Sequence, residues 1–394
     1  MDVRCFACRA DGLIPFYEDP APPVHSCVLV RTRREALDFP RGRLRLDFCP
    51  KCGFIQNSLF DPATLDYFQD YEETQAYSPT FNAFAESLAR DLIRRYDLRD
   101  KEILEIGCGK GEFLALLCGL GHNRGLCVDP STKPERIPAT EGGGISVIRD
   151  YYDGRYADLT ADFICCRHTL EHVQPVADFV RLSLQAARRR PGAAVFFEVP
   201  DSLRVLQEGA FWDIYHEHCS YFTPASLTRL FKQEGARIRE VTVAYAGQYL
   251  LLEATAEQNG EPAREAGAVG QNDTDETAAL VEGFRETARR TATEWRDILR
   301  GAHGRGQTVA LWGGGSKAVA FMSALELSEE VAYVIDINPH KQGLFLPGSG
   351  HQVLGPEELL KQPPDLVVVM NPVYREEIAA ELARRGVNAE LLTL

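Results

Sequence analysis

Four ionisable or phenolic side chains follow one another at Tyr215, His216, Glu217 and His218, inside an aromatic run, 211–222 (FWDIYHEHCSYF). Histidine can be neutral near pH 7 and take up a proton, and a tyrosine hydroxyl can donate a hydrogen bond to a developing oxyanion. Aromatic walls would keep water away from these groups, a composition that packing alone does not explain. The plain alternative is a surface loop with incidental histidines. A second polar string, Arg167-His168-Thr169-Leu170-Glu171-His172, follows an apolar run that ends at Cys166. His168 and His172 lie four positions apart and would share one face of a helix. With no third ligand evident nearby, the pair is expected to form the polar rim of a site rather than to hold a metal, or else to cap a helix. Cysteines make the third constellation: Cys5 and Cys8 form one C-x-x-C knuckle, Cys49 and Cys52 another. Four thiolates in two knuckles match tetrahedral zinc with no open coordination position, so the expected metal site is structural. Zinc ligation worth roughly 10–16 kcal/mol in peptides would outweigh the small core available to so short a segment. Cys27 has no place in this scheme.

These groups need a scaffold, and the stretch 103–114 (ILEIGCGKGEFL) is its centre. Ile103, Leu104 and Ile106 read as a short buried parallel strand, interrupted by Glu105 and followed by Gly107, Gly109, Gly111 and the apolar start of a helix. Glycines let the backbone turn sharply and approach a ligand whose polar end can use the free amides at the helix start. The next apolar run ends at Asp129, about where a ribose diol would need a carboxylate acceptor. An acid two residues before the first glycine, then G-x-G-x-G, then an acid at the next strand tip resembles the S-adenosylmethionine site of class I methyltransferases more than the phosphate loop of a dinucleotide enzyme. The resemblance makes Glu105, Gly107, Gly109, Gly111, Asp129 and, at the rim, His168 the expected cofactor contacts. A nucleotide fold without function is the bland alternative.

Around this centre, apolar runs at 124–129, 163–166 and 195–199 alternate with helical stretches, which argues a doubly wound α/β parallel sheet with ligands at the strand ends. A helix over 80–96 leads in, and a helix over 224–232 followed by two strands within 239–254 completes the sheet. Upstream, 61–77 (DPATLDYFQDYEETQAY) is rich in aromatics and acids. Such aromatics pack domains together, or Tyr71 and Tyr77 line a substrate pocket. Residues 257–276 are poor in large apolar side chains and read as a linker, and 277–300 as an amphipathic helix. The strand, turn, helix, strand, acid arrangement then recurs: 308–312, Gly313-Gly314-Gly315-Ser316-Lys317, an apolar helix over 318–325, and 331–335 ending at Asp336. Exposed amides with Lys317 suit a phosphate-bearing ligand better than a sulfonium, and a degenerate repeat that only braces its neighbour is the alternative.

The chain of 394 residues exceeds what one core usually supports. The expected division is 1–70 for zinc, 71–256 for the cofactor, 257–304 as linker and helix, and 305–394 as a Rossmann-like unit. A formal charge of -14 disfavours nonspecific nucleic-acid binding. No apolar run approaches the roughly 18 to 20 residues of a membrane span, and no signal-peptide pattern opens the sequence, so a cytoplasmic enzyme is expected. Eleven cysteines scattered through so long a chain point to metal and reducing conditions, not a disulfide framework.

In order, the knuckles, the GCGKG turn, the YHEH loop and the GGGSK turn resemble the S-adenosylmethionine-dependent C-methyltransferases of nucleotide-linked keto sugars. That family carries an N-terminal zinc domain, a class I methyltransferase domain and a Rossmann-like C-terminal domain, and the likeness covers essentially the whole chain. It implies zinc on Cys5, Cys8, Cys49 and Cys52, and the cofactor on the glycine turn with Asp129. It also implies His218 as the proton-abstracting base, Tyr215 and Glu217 in the same motif, and His172 as a pocket histidine. Tyr71, Tyr77, Gly315, Ser316, Lys317 and Asp336 become the expected substrate contacts, with the nucleotide part held by the second turn. The partner expected is a small molecule, with no nucleic acid or membrane, and the chain a monomer or weak homo-oligomer. The chain departs from the family pattern at 71–78 (YEETQAYS) and at 371–374 (NPVY), where sugar and nucleotide contacts are expected, so methylation at carbon, oxygen or nitrogen of another small metabolite is the second reading, and a binding protein without catalysis the third.

Overall fold

A computed structural model describes residues 3–67, 70–140, 143–256 and 271–394. Its centre is a seven-stranded sheet in the order Ala236–Ala244, Tyr249–Ala256, Ala194–Pro200, Phe163–Arg167, Glu102–Ile106, Arg124–Val128, Ile145–Ile148. The five strands from Ala194–Pro200 onward are parallel, and Tyr249–Ala256 runs antiparallel between Ala194–Pro200 and Ala236–Ala244. This is the class I methyltransferase sheet, doubly wound with an antiparallel hairpin at one edge. Its inner strands read as unbroken apolar runs because helices cover both faces. Phe163, Ile164, Cys165, Cys166, Phe196 and Phe197 are completely buried. The helix Pro79–Tyr96 starts where Ser78 caps the Phe81 amide and Pro79 fills the first turn, which has no use for its missing N–H.

A second, five-stranded sheet is parallel throughout, in the order Val353–Leu354, Tyr333–Ile335, Val309–Trp312, Leu366–Val369, Glu390–Thr393. In both sheets the chain winds to opposite sides of one strand, Glu102–Ile106 or Val309–Trp312, so each glycine turn opens into the crevice at a switch point.

The N-terminal sheet is antiparallel, in the order Ile14–Asp19, Leu44–Phe48, Ile55–Asn57, Ser220–Tyr221. Its fourth strand comes from the far end of the YHEH loop. Two residues carry no alternation, so this pairing leaves no trace in sequence. The helix expected over 277–300 spans Gln271–Gly304. Of the expected linker, 257–270 lie outside the described residues and 271–276 are helical. Asp273 stands in the helix's first turn, where a negative charge is favourable, and Thr274 is buried beside the Gly53 knuckle, so tertiary contact outweighs weak propensity. Among the described residues no helix is long and apolar enough to cross a membrane.

Candidate active site

The C-terminal strand ends of the two parallel sheets border one cavity of about 940 Å³, near the upper end of small-molecule pockets. Gly107, Gly109 and Gly111 have φ of 73°, 54° and 71°, a region that favours glycine. A Cβ on Gly107 would sit 1.9 Å from Thr169 Oγ1, and one on Gly109 2.3 Å from Glu73 Oε1. The Gly109 amide donates to Asp129 Oδ2 at 2.8 Å, so that carboxylate braces the turn as well as facing the cavity. Glu105 is buried, its Oε2 lacks a partner, and burial pushes its pKa up to about 8. A tight glycine cradle beside an orphaned acid and a strand-tip aspartate fits S-adenosylmethionine, whose amine and ribose hydroxyls need such acceptors.

Cys108 in this turn and Cys127 on the next strand form a disulfide with a Cα–Cα distance of 5.8 Å. The other nine cysteines are free, so this single bridge is an exception to the expected reducing conditions and not a disulfide framework. Adjacent parallel strands bring the two within bridging reach although they lie 19 residues apart. Lys110, which the sequence reading passed over, reaches Tyr71 O at 2.6 Å and Glu73 at 2.8 Å, tying the turn to the aromatic segment.

His168 and His172 both line the cavity, as a polar rim would, but the segment is not a helix and they share no helix face. His168 has φ 49° and only a 3-10 turn, Leu170–His172, follows. Burial works against charge on His168, but Glu171 and Glu198 outweigh it and raise its pKa to about 9. Its Nε2 lies 2.7 Å from Glu198 Oε1. His172 instead meets His218, with ring centroids 4.6 Å apart, and its Nδ1 is 2.8 Å from the Tyr67 hydroxyl. Burial first, then His172, pushes His218 down to about 4. Glu171 supplies the third group that the sequence did not show: donor atoms of Glu171, His172 and His218 all lie within 4.8 Å of one another. Burial opposes its charge, yet the His168 bond and the surrounding histidines hold its pKa below the usual carboxylate value, and its Oε2 has no partner.

Tyr215, His218, Tyr71 and Tyr77 line the cavity, with Tyr77 exposed at the rim against His340. Glu217 is absent from the described cavity lining and only 1% exposed. Its carboxylate is taken by His25, Ser26 and Tyr71, which places it behind the site and not against a substrate. The Tyr215 hydroxyl donates to Asp213 Oδ1 at 2.9 Å, so its proton is already committed.

The second turn also differs from expectation. Lys317 lines the cavity, but its ammonium pairs with Asp213, and burial lowers its pKa. Ser316 Oγ lies 2.8 Å from Ser26 Oγ and 3.0 Å from Cys27 Sγ, which gives Cys27 a neighbour. Asp336 accepts from the Gly314 amide at 2.8 Å and from Lys341 at 3.3 Å. Lys341, not Lys317, stands nearest Gly315, 3.5 Å from where a Cβ would be. Its only signal in sequence is its place in the loop after the Asp336 strand tip.

At the other end of the N-terminal sheet, Cys5 and Cys52 Sγ atoms are 3.7 Å apart, as are those of Cys8 and Cys49. A zinc tetrahedron with bonds of about 2.3 Å has edges of about 3.8 Å, so the four cysteines suit that ion.

Residues 81–241 match the family model described as methyltransferase domain, and residues 252–389 that described as C-methyltransferase C-terminal domain. Over 302 residues the chain is 28% identical to the C-methyltransferase NovU of Streptomyces niveus, covering 73% of this chain and 70% of that protein. A solved S-adenosylmethionine-dependent methyltransferase from Mesorhizobium loti is 16% identical, covers 43% of this chain and 97% of its own, and has a TM-score of 0.33. Magnesium protoporphyrin IX methyltransferase of Synechocystis PCC 6803 is 13% identical, with coverage of 48% and 91% and a TM-score of 0.34.

Proposed function

Because the chain belongs to the S-adenosylmethionine-dependent C-methyltransferases, we propose that it methylates the carbon beside the keto group of a nucleotide-linked sugar, with His218 as base. The observation that carries this reading is a neutral, cavity-facing His218 in the same cavity as both glycine turns.

S-adenosylmethionine, when bound, supplies an electrophilic methyl group on sulfur. Glu105, Gly107, Gly109, Gly111 and Asp129 would hold it, with His168 at the rim, and Cys5, Cys8, Cys49 and Cys52 would hold a structural zinc. The chain's own task is to make a carbon nucleophile. His218 takes the proton beside the carbonyl, electrons move into the carbonyl, and an enolate forms. Glu171, buried and ionised beside the ring, favours the imidazolium so created. His172, held at Nδ1 by Tyr67, is the better donor to the enolate oxygen, because the Tyr215 proton already goes to Asp213. Walls formed by Tyr67, Tyr71, Phe179 and Tyr249 keep water from the enolate. Reach from the cofactor turn to Gly315, Asp336 and Lys341 gives room for a two-part substrate whose nucleotide end lies at the second turn.

The internal commitments of Lys317 and Ser316 favour the second reading, a small metabolite without a diphosphate, since they remove two expected ligands. Mass spectrometry after incubation with methyl-labelled S-adenosylmethionine and a panel of keto-sugar nucleotides decides between them. A carbon-bound label on one of these sugars is expected. Cofactor binding without transfer to any of them sinks the sugar reading.

A further inference from the structure

The best-satisfied buried charge in the molecule's active region is Glu217, beside the base. Its Oε1 accepts from the Ser26 amide at 2.9 Å and from the Ser26 hydroxyl. Its Oε2 accepts from His25 Nδ1 at 3.1 Å and from the Tyr71 hydroxyl at 3.2 Å. The Asp66 amide donates to His25 Nε2 at 3.2 Å, which leaves the ring proton of neutral His25 on Nδ1, pointing at Glu217. His25 and Ser26 belong to the N-terminal part of the chain, between the strand Ile14–Asp19 and the helix Arg33–Leu37. Ser26 Oγ also meets Ser316 of the second glycine turn. The same sheet grips the loop from its other side, where Asn57 Nδ2 donates to His216 O at 3.2 Å and Ser220–Tyr221 pairs with Ile55–Asn57.

We propose that His25 and Ser26 are positioning residues for catalysis: they fix the Glu217 carboxylate and, through it, the loop that presents His218 to the cavity. The proposal rests on the reading of His218 as base. An ionised carboxylate in a dry interior needs several donors, and these residues supply three of its four. Burial works against that charge, yet His25, His172 and Ser26 bring its pKa to about 2. The fixed negative charge stabilises His218 once it has taken a proton, and Glu217 needs no substrate contact to do so. The N-terminal part, whose zinc has no open position for chemistry, thereby becomes a working wall of the active site.

The test uses the full-length, zinc-loaded protein with His25→Ala, Ser26→Ala and the conservative His25→Asn, whose amide can donate in place of Nδ1. Amide hydrogen exchange without any substrate reads the loop directly. Both alanine variants should exchange about tenfold faster over 213–218, with 103–114 unchanged. With a keto-sugar nucleotide that the parent turns over, their kcat should fall about tenfold while KM for S-adenosylmethionine stays within about twofold. His25→Asn should recover most of both effects. Loop exchange equal to the parent's overturns the proposal, and so does a kcat loss matched by an equal loss of S-adenosylmethionine affinity or one that His25→Asn leaves unrepaired. Faster loop exchange in a protein that methylates no keto sugar upholds the positioning role and counts against the substrate assignment alone.

Discussion

At neutral pH the His218 ring is uncharged, with one nitrogen free to take a proton, because burial and then His172 hold its pKa to about 4 against an ordinary 6.5. Glu171 and Glu217 are the charges placed to stabilise the cation as it forms, and without them the pKa would lie lower still. His218→Ala is therefore expected to bind S-adenosylmethionine within about twofold of the parent by calorimetry while losing roughly 10²- to 10⁴-fold in kcat. Full turnover would remove His218 as the base. The pH profile follows with a definite sign: the active form is the neutral ring, so kcat/KM should stay level from neutrality down to about pH 5 and fall only as pH drops through about 4. A limb near 6.5 would mean that the ring is solvated. Stability responds in the same direction. The unfolded chain protonates this histidine near 6.5 and the folded one only near 4, so its contribution is complete above 6.5 and is lost as pH falls through that window.

Among the elements, the turn between Glu102–Ile106 and the helix Glu112–Gly121 leaves little room for side chains at its glycines. Gly107→Ala would put a methyl 1.9 Å from Thr169 Oγ1 and force a non-glycine residue to φ 73°. A left-handed conformation alone costs about 1–2 kcal/mol, which is roughly tenfold in an equilibrium. Cofactor affinity should drop by about tenfold or more in titration calorimetry. Adding Thr169→Ala should recover only part, since it removes the clash and not the backbone strain. This turn was legible in sequence because one short segment holds strand, glycines and helix. The GGGSK repeat was legible for the same reason, but its chemistry was not. Whether Lys317 faces phosphate or Asp213 depends on a residue 104 positions away. The RHTLEH string lines the cavity as a polar rim does, but its local form was not legible: a left-handed His168 breaks the helical register that makes i and i+4 neighbours. His25, Ser26 and Glu171 were hidden because their importance lies wholly in what the fold sets beside them.

The whole molecule builds its cavity from three sheets that meet on one loop. Asp213 takes Lys317 and Arg204, Glu217 takes His25 and Ser26, and Ser220–Tyr221 enters the N-terminal sheet. Removing the zinc expected on Cys5, Cys8, Cys49 and Cys52 should thus act at a distance. Four thiols packed at 3.7 Å Sγ–Sγ contacts have no other strong reason to stay together. Loss of ligation releases the two knuckles and, through Cys49 and Cys52, the turn that joins Leu44–Phe48 to Ile55–Asn57. That hairpin is the partner of Ser220–Tyr221, so the loop carrying His218 loses its anchor, while the sheet face covered by Pro79–Tyr96 and Glu112–Gly121 keeps its own core and only the opposite face shares a cluster with the knuckles. Chelation under native conditions should then lower kcat by about tenfold or more with S-adenosylmethionine affinity changed by less than about threefold, and zinc should restore turnover. Metal content, calorimetry and turnover on the same sample measure all three. Cofactor binding that collapses together with turnover would show that the N-terminal sheet supports the whole fold rather than this loop.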